Sequence, residues 1–159
     1  MTEPRWLTPT EQHSWRSFIE GFRSLVDVLD RELLADSGLS HAYYEILIPL
    51  SEHPERQMRM SELADITRSS RSRLSHAVAR LEDRGWVQRV DCETDKRGQV
   101  AQLTDAGYAV IVAAAPSHVE TVRKYLVDQL SPQQLQVMGE LGQIMLATTA
   151  VSDLPVRRA

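Results

Sequence analysis

A chain of 159 residues, 42% of them hydrophobic, is long enough for one domain with a buried core and too short for several. Its formal net charge of −4 excludes a general coat for polyanions. No apolar run reaches the length of a membrane span, and the single cysteine, Cys92, has no partner for an internal disulfide, so no membrane association and a reducing, cytoplasmic location are expected.

No secretory leader is expected, because Glu11, His13, Arg16 and Glu20 break the first apolar cluster. Thr8-Pro9-Thr10-Glu11 marks a helix start, with Thr8 as cap, Pro9 at the first helical position and Glu11 reaching back. The helix it opens carries Trp15, Phe18, Ile19, Phe22, Leu25, Val26, Leu29 and Leu33, a wide stripe for a terminal helix, and ends near Ser37-Gly38. A second helix begins after Ser40 and runs through Tyr43, Tyr44, Ile46, Leu47 and Leu50. Pro49 lies inside it and predicts a kink or an early stop. Glu52 to Glu55 reads as a loop leading to Met58.

Ser61 to Ile66 is a short amphipathic helix, with Leu63, Ala64 and Ile66 on the side to be buried. Ser69-Ser70 makes the turn, and Ser70 is placed to cap the next helix. That helix, about Arg71 to Arg84, spaces Leu74, Val78 and Leu81 by four and three, one apolar stripe. Its outer face and first turns carry Arg71, Ser72, Arg73, Ser75 and His76, with Arg80 further along. Two crossed helices, the second basic at its start, are the layout of a helix-turn-helix DNA reader. Gly85 stops the helix. Two short strand-like runs follow, Trp86 to Val90 and Gln99 to Leu103, joined by a polar loop with Lys96 and Arg97 at its tip. A hairpin with such a tip can reach a minor groove while the helix fills the adjacent major groove.

Thr104 caps a further helix, from Gly107 to about Leu130, which Pro116 is expected to bend. Ser131-Pro132-Gln133-Gln134 repeats the capping pattern. The last helix sets Leu135, Met138, Leu141, Met145 and Leu146 on one side, and residues 152–159 read as a flexible tail.

The run Ser61 to Gly107 resembles the MarR family of winged helix-turn-helix regulators. Asp95-x-Arg97 followed by Leu103-Thr104-x-x-Gly107 is similar to that family's wing signature. Ser-Arg-x-x-Leu-Ser-x-x-Val-x-x-Leu-Glu, Ser70 to Glu82, is similar to its recognition helix. The resemblance implies a homodimer with interleaved N- and C-terminal helices that binds a pseudo-palindromic operator in double-stranded DNA. It also implies a crevice for small aromatic or phenolic effectors near the start of the second helix. The fold expected is mainly α with a small β-hairpin wing: a single domain over residues 1–159, with dimerisation helices at 1–36 and 108–150 and the winged helix-turn-helix at 40–107.

Each assignment competes with a plainer one. Arg71, Ser72, Arg73, Ser75 and His76 could be a solvated helix face, but they gather in the first turns without an acid among them, so they are assigned to DNA together with Ser70 and, further along, Arg80. Arg73 is the leading candidate for guanine, and Ser75 or His76 for edge or phosphate contacts. Arg97 is assigned to the minor groove with Asp95 orienting its guanidinium, and Lys96 to phosphate. Between positions 68 and 89, Arg68, Arg71, Arg73, Arg80, Arg84 and Arg89 face only Glu82 and Asp83: a focused basic patch on an acidic body. Trp15, Phe18, Ile19, Phe22, Leu135, Met138, Leu141 and Met145 are assigned to the dimer interface, against the alternative of packing within one chain. Phe22, His41, Tyr44 and Ile48 are the effector candidates, and for Phe22, Tyr44 and Ile48 plain core packing is the stronger alternative.

Other chemistries fit poorly. Ser72 and His76 stand one turn apart, but no acid orients the imidazole and no oxyanion donor is evident, so no enzyme is expected. The five histidines show no paired metal spacing, and neither a metal nor a cofactor is expected. Cys92 lies beside Asp91 and Glu93, which hold its proton and weaken a redox-sensing role. A winged-helix adaptor using the same face for a protein partner is the alternative of a different class.

Overall fold

A computed structural model describes residues 3–91 and 99–150. The chain divides into two compact units, Met1–Thr121 and Val122–Ala159.

The first unit opens with α1 (Pro9–Ser37). Thr8 accepts the Glu11 backbone N–H, and Glu11 returns the bond to the Thr8 backbone N–H. Those bonds hold the Glu11 carboxyl below its ordinary range. Gly38 ends the helix in the left-handed conformation, and α2 (His41–Glu52) begins after its own cap, Ser40. Pro49 does not stop α2, which continues to Glu52. Proline there costs one backbone bond close to the helix end, where few remain to be made.

Beyond the loop, the residues around Met58 form a strand not expected from the sequence, β1 (Gln57–Arg59), so the wing is a three-stranded sheet rather than a hairpin alone. Its order is β1-β3-β2, with β2 at Val87–Asp91 and β3 at Gln99–Leu103, all antiparallel. Met58 pairs with Ala101 and Val87 with Leu103. These four are buried, while Gln88 and Gln102 pair on the opposite face through a 2.7 Å side-chain hydrogen bond.

Between β1 and β2 lie α3 (Met60–Ile66) and α4 (Arg71–Asp83). Leu63 and Ala64 are buried as expected, but Ile66 is 51% exposed. α3 ends with it, and the chain turns away through Arg68, which takes a left-handed φ of 51°. Leu74, Val78 and Leu81 of α4 are almost wholly buried, against Leu33, Leu39, Leu47, Leu50 and Leu63. Each such side chain contributes roughly 1.5–3 kcal/mol on leaving water. This core fixes α4 with one face in and the opposite face to solvent.

α5 (Asp105–Tyr125) is one helix through Pro116 and stops five residues short of Leu130; a 3-10 turn at Val127–Gln129 follows. Ile111 and Ala114 join the core. In the second unit Ser131 and Gln134 exchange the capping bonds that start α6 (Pro132–Ala150). The proposed tail, residues 152–159, lies outside the described residues.

Candidate nucleic-acid interface

Ser70 sets up the exposed face of α4. Its backbone is extended and its hydroxyl accepts the Arg73 backbone N–H at 3.3 Å, leaving other N–H groups of the first turn open at the positive end of the helix. Arg71, Ser72, Arg73, Ser75 and His76 are all exposed there, and no acid occupies the first turn. The guanidinium groups of Arg71 and Arg73 make no ion pair among the described residues. An uncompensated cationic helix start is a surface for anions. Arg80 is also exposed, in a loose 3.9 Å pair with Asp83.

Two arginines counted into the basic patch are already engaged. Arg89 of β2 has its guanidinium 3.1 Å from Glu82, and it donates to the Ser75 carbonyl at 2.7 Å and to the Ser75 hydroxyl at 3.4 Å. Arg84 lies over the rings of Tyr43 and Trp86 and donates to the Gly38 carbonyl at 3.3 Å. The free patch is therefore smaller than the sequence count and concentrated at the start of α4. Strand alternation from buried Val87 would have placed Arg89 on the inner face; Arg84 left no such signal.

β2 is described as far as Asp91 and β3 from Gln99. Cys92, Asp95, Lys96 and Arg97 lie outside the described residues.

The effector candidates separate. Tyr44 is 5% exposed and part of the core, where burial and then the charge of Glu52 push its phenol up. Ile48 is half-buried and packs against the same core. His41 is half-buried and receives Asp30, which accepts its backbone N–H at 2.8 Å. Phe22 is 56% exposed and stacks on Phe18, so it is not core. Sequence reasoning missed His118 of α5, whose ring lies 4.5 Å from that of Tyr44 and 5.8 Å from that of His41. Its Nδ1 is buried without a hydrogen-bond partner, and burial, then His41, pushes its pKa down. Among the described residues no group of three or more His, Cys, Asp or Glu side chains is arranged to hold a metal.

Both terminal helices carry uncovered apolar side chains. Trp15 and Phe18 on α1, and Leu135, Met138, Leu141 and Met145 on α6, are exposed, whereas Ile19 is half-buried. Leu29 and Leu33, at the far end of the same α1 stripe, are buried within the unit. An open groove of about 400 Å³ is lined by Trp6, Leu7, Gln12, Trp15 and Arg16. A second, of about 490 Å³, runs between Tyr43 and the His76–Asp83 side of α4.

A capped basic helix set across a shorter one, flanked by the strands of a three-stranded wing, defines a winged helix-turn-helix protein. Residues 37–98 match the family model described as the MarR family. The crystal structure of Sco3205, a MarR family transcriptional regulator from Streptomyces coelicolor in complex with DNA, is 51% identical. It covers 98% of this chain and 99% of its own, with a TM-score of 0.91. AbsC, a MarR family regulator from the same organism, is 40% identical over 94% of this chain and 100% of its own, with a TM-score of 0.89. The transcriptional repressor MprA of Escherichia coli is 24% identical over 131 residues, 76% of this chain and 74% of that protein. The chain belongs to the MarR family, and so to the transcriptional regulators rather than the enzymes. Among the described residues no helix is long and apolar enough to cross a membrane.

Proposed function

We infer that the protein is a homodimeric transcriptional repressor that binds a pseudo-palindromic site in double-stranded DNA and is released by a small aromatic or phenolic ligand. The observation that carries this reading is the free cationic start of α4, held outward by a buried stripe and capped by Ser70. Arg73 reads a guanine edge. Arg71, Ser72, Ser75, His76 and Arg80 supply edge and phosphate contacts. Arg97, with Asp95 and Lys96, serves the minor groove beside it. The relative crystallised with DNA shares half of its residues with this chain over nearly the full length.

Pairing of two chains covers the apolar side chains of α1 and α6 and sets two α4 helices about one helical turn, roughly 34 Å, apart. The ligand acts near His41 and Tyr44, with His118 opposite, and shifts the spacing of the two reading heads. Selection of bound duplexes from a random pool, repeated over a salt series, tests the reading. A palindromic consensus with a steep salt dependence is expected. Salt-insensitive binding, or no consensus, would instead favour an adaptor that uses this face for a protein.

A further inference from the structure

We propose that Arg89 is a positioning residue for DNA reading: it locks the β2–β3 ladder onto two turns of α4, and so fixes the angle between the reading helix and the wing. The inference rests on the DNA-reading function proposed above.

The register places Arg89 opposite buried Ala101, on the face that Val87 and Leu103 turn toward the core. An arginine on an inward-facing strand position is costly unless its donors are met. Here both terminal guanidinium nitrogens and the backbone N–H are met by α4, while Nε is buried without a partner. Glu82 accepts the Arg89 backbone N–H at 2.9 Å through one carboxylate oxygen and takes the guanidinium through the other. The same guanidinium reaches Ser75, bonding its carbonyl and its hydroxyl. Ser75 and Glu82 are seven residues apart, about two turns or roughly 10 Å along the axis. One strand residue thus grips the helix at two points, which resists rotation as well as sliding. Packing of Val78, Leu81, Val87 and Leu103 holds the layers together, but apolar contact is non-directional and does not set an angle.

The first grip point, Ser75, lies within the face assigned to DNA. Its hydroxyl is therefore turned toward the wing as well as toward a base or phosphate. A reader that engages a major groove and the flanking minor groove needs the distance between its two parts fixed to within a fraction of an ångström. Arg89 supplies that constraint without touching DNA.

The test uses the full-length protein carrying Arg89→Gln, Arg89→Lys or Glu82→Gln, with helix content checked by circular dichroism. In duplex selection, Arg89→Gln is expected to keep the central half-site bases, lose preference at the flanks and bind roughly tenfold more weakly. Arg89→Lys, which can hold Glu82 but cannot span to Ser75 as well, is expected to fall between. Unchanged flanks and affinity overturn the proposal. So does a uniform loss of affinity with an unchanged motif, which marks a phosphate contact. Amide hydrogen exchange without DNA is the second measurement. The amides of Val87–Asp91 and Gln99–Leu103 should exchange roughly tenfold faster in Arg89→Gln, and those of α2 should not. Unchanged exchange overturns the lock whatever the DNA result. A wild-type protein that selects no duplex overturns the DNA-reading function, and the exchange data still decide whether the lock exists. Should Arg89→Gln fail to fold, Glu82→Gln carries the same comparisons, since it weakens one grip point and leaves Ser75 in place.

Discussion

Gly107, in the first turn of α5, lies so close to the carbonyl of Trp86 that no side chain fits between them. A Cβ there would also stand 2.7 Å from the Leu103 Cδ1. Thr104 closes the same corner. Its backbone N–H donates to the Trp86 carbonyl, its hydroxyl donates to the Gly85 carbonyl at 2.7 Å, and its oxygen accepts the Gly107 N–H at 3.0 Å. The Leu-Thr-x-x-Gly signature is therefore a joint: it fastens the end of β3 and the start of α5 to the turn that follows α4.

Gly107→Ala should destabilise the first unit by about 1–3 kcal/mol, the usual cost of forcing a methyl into a packed site. Chemical denaturation with unchanged slope and a lowered midpoint is the expected record. A variant as stable as wild type would mean that the joint can open at little cost.

Arg73→Ala should relax base preference at one position in each half-site, whereas Arg80→Ala should lower affinity for all sequences alike. The contrast follows from where the two stand: Arg73 in the free first turn, Arg80 two turns on and drawn toward Asp83. Duplex selection with each variant separates them. An unchanged site for the Arg73 variant would assign base reading elsewhere on α4.

Leu141→Arg and Phe18→Arg should each weaken pairing of two chains, because both residues are exposed apolar groups that a second copy covers in the proposed dimer. Point changes are the cleaner probe. A truncation through Asp30 would also remove Leu29, which belongs to the first unit's own core. Sedimentation should show slower species at micromolar concentration, and operator affinity should fall toward nonspecific levels. Tight operator binding by a monomeric variant would defeat the dimer.

His118 should make the fold less stable in mild acid. Burial, then His41, disfavours its protonated form in the folded chain, so its folded pKa lies below the unfolded value of about 6.5. Above that value both states are neutral and the residue contributes nothing to the pH dependence. As pH falls below it, the unfolded chain takes up a proton that the fold resists, and stability drops. His41 and Tyr44 of α2 face the ring; Glu45 lies 3.8 Å from the His41 imidazole, and Asp30 accepts the His41 backbone N–H. Melting temperatures measured from about pH 7 down to about pH 5 should decline, and His118→Asn should flatten that decline. An equally steep decline in the variant would place the acid sensitivity elsewhere.

Much of this fold was legible because local signals agreed. Thr8, Ser40, Ser70, Thr104 and Ser131 each begin a helix where their capping chemistry says they should, and Leu74, Val78 and Leu81 face inward at helical spacing. What stayed hidden depended on partners distant in sequence. β1 is three residues long and exists because β3 offers it an edge, 40 and more residues away. Ile66 belongs to the apolar pattern of α3 but falls at its last turn, where the chain leaves the core. Arg84 and Arg89 look like surface charge in a linear count, yet an aromatic pair and a carboxylate claim them. His118 carried no motif, and only the fold sets it against His41 and Tyr44.

The nineteen residues of α6 present Leu135, Val137, Met138, Leu141, Ile144, Met145 and Leu146 to solvent, on more than one side of the helix. A helix of that length is marginal on its own in water, so its persistence is tied to whatever covers it. When the cover is a second chain, forming the helix and meeting the partner become one equilibrium governed by mass action. In the proposed dimer, chains made in small numbers would keep frayed ends and be cleared first by proteases, while chains above the pairing threshold would protect one another. Gene copy number and synthesis rate would thus act on regulation twice, once through occupancy of the operator and once through the lifetime of the regulator itself.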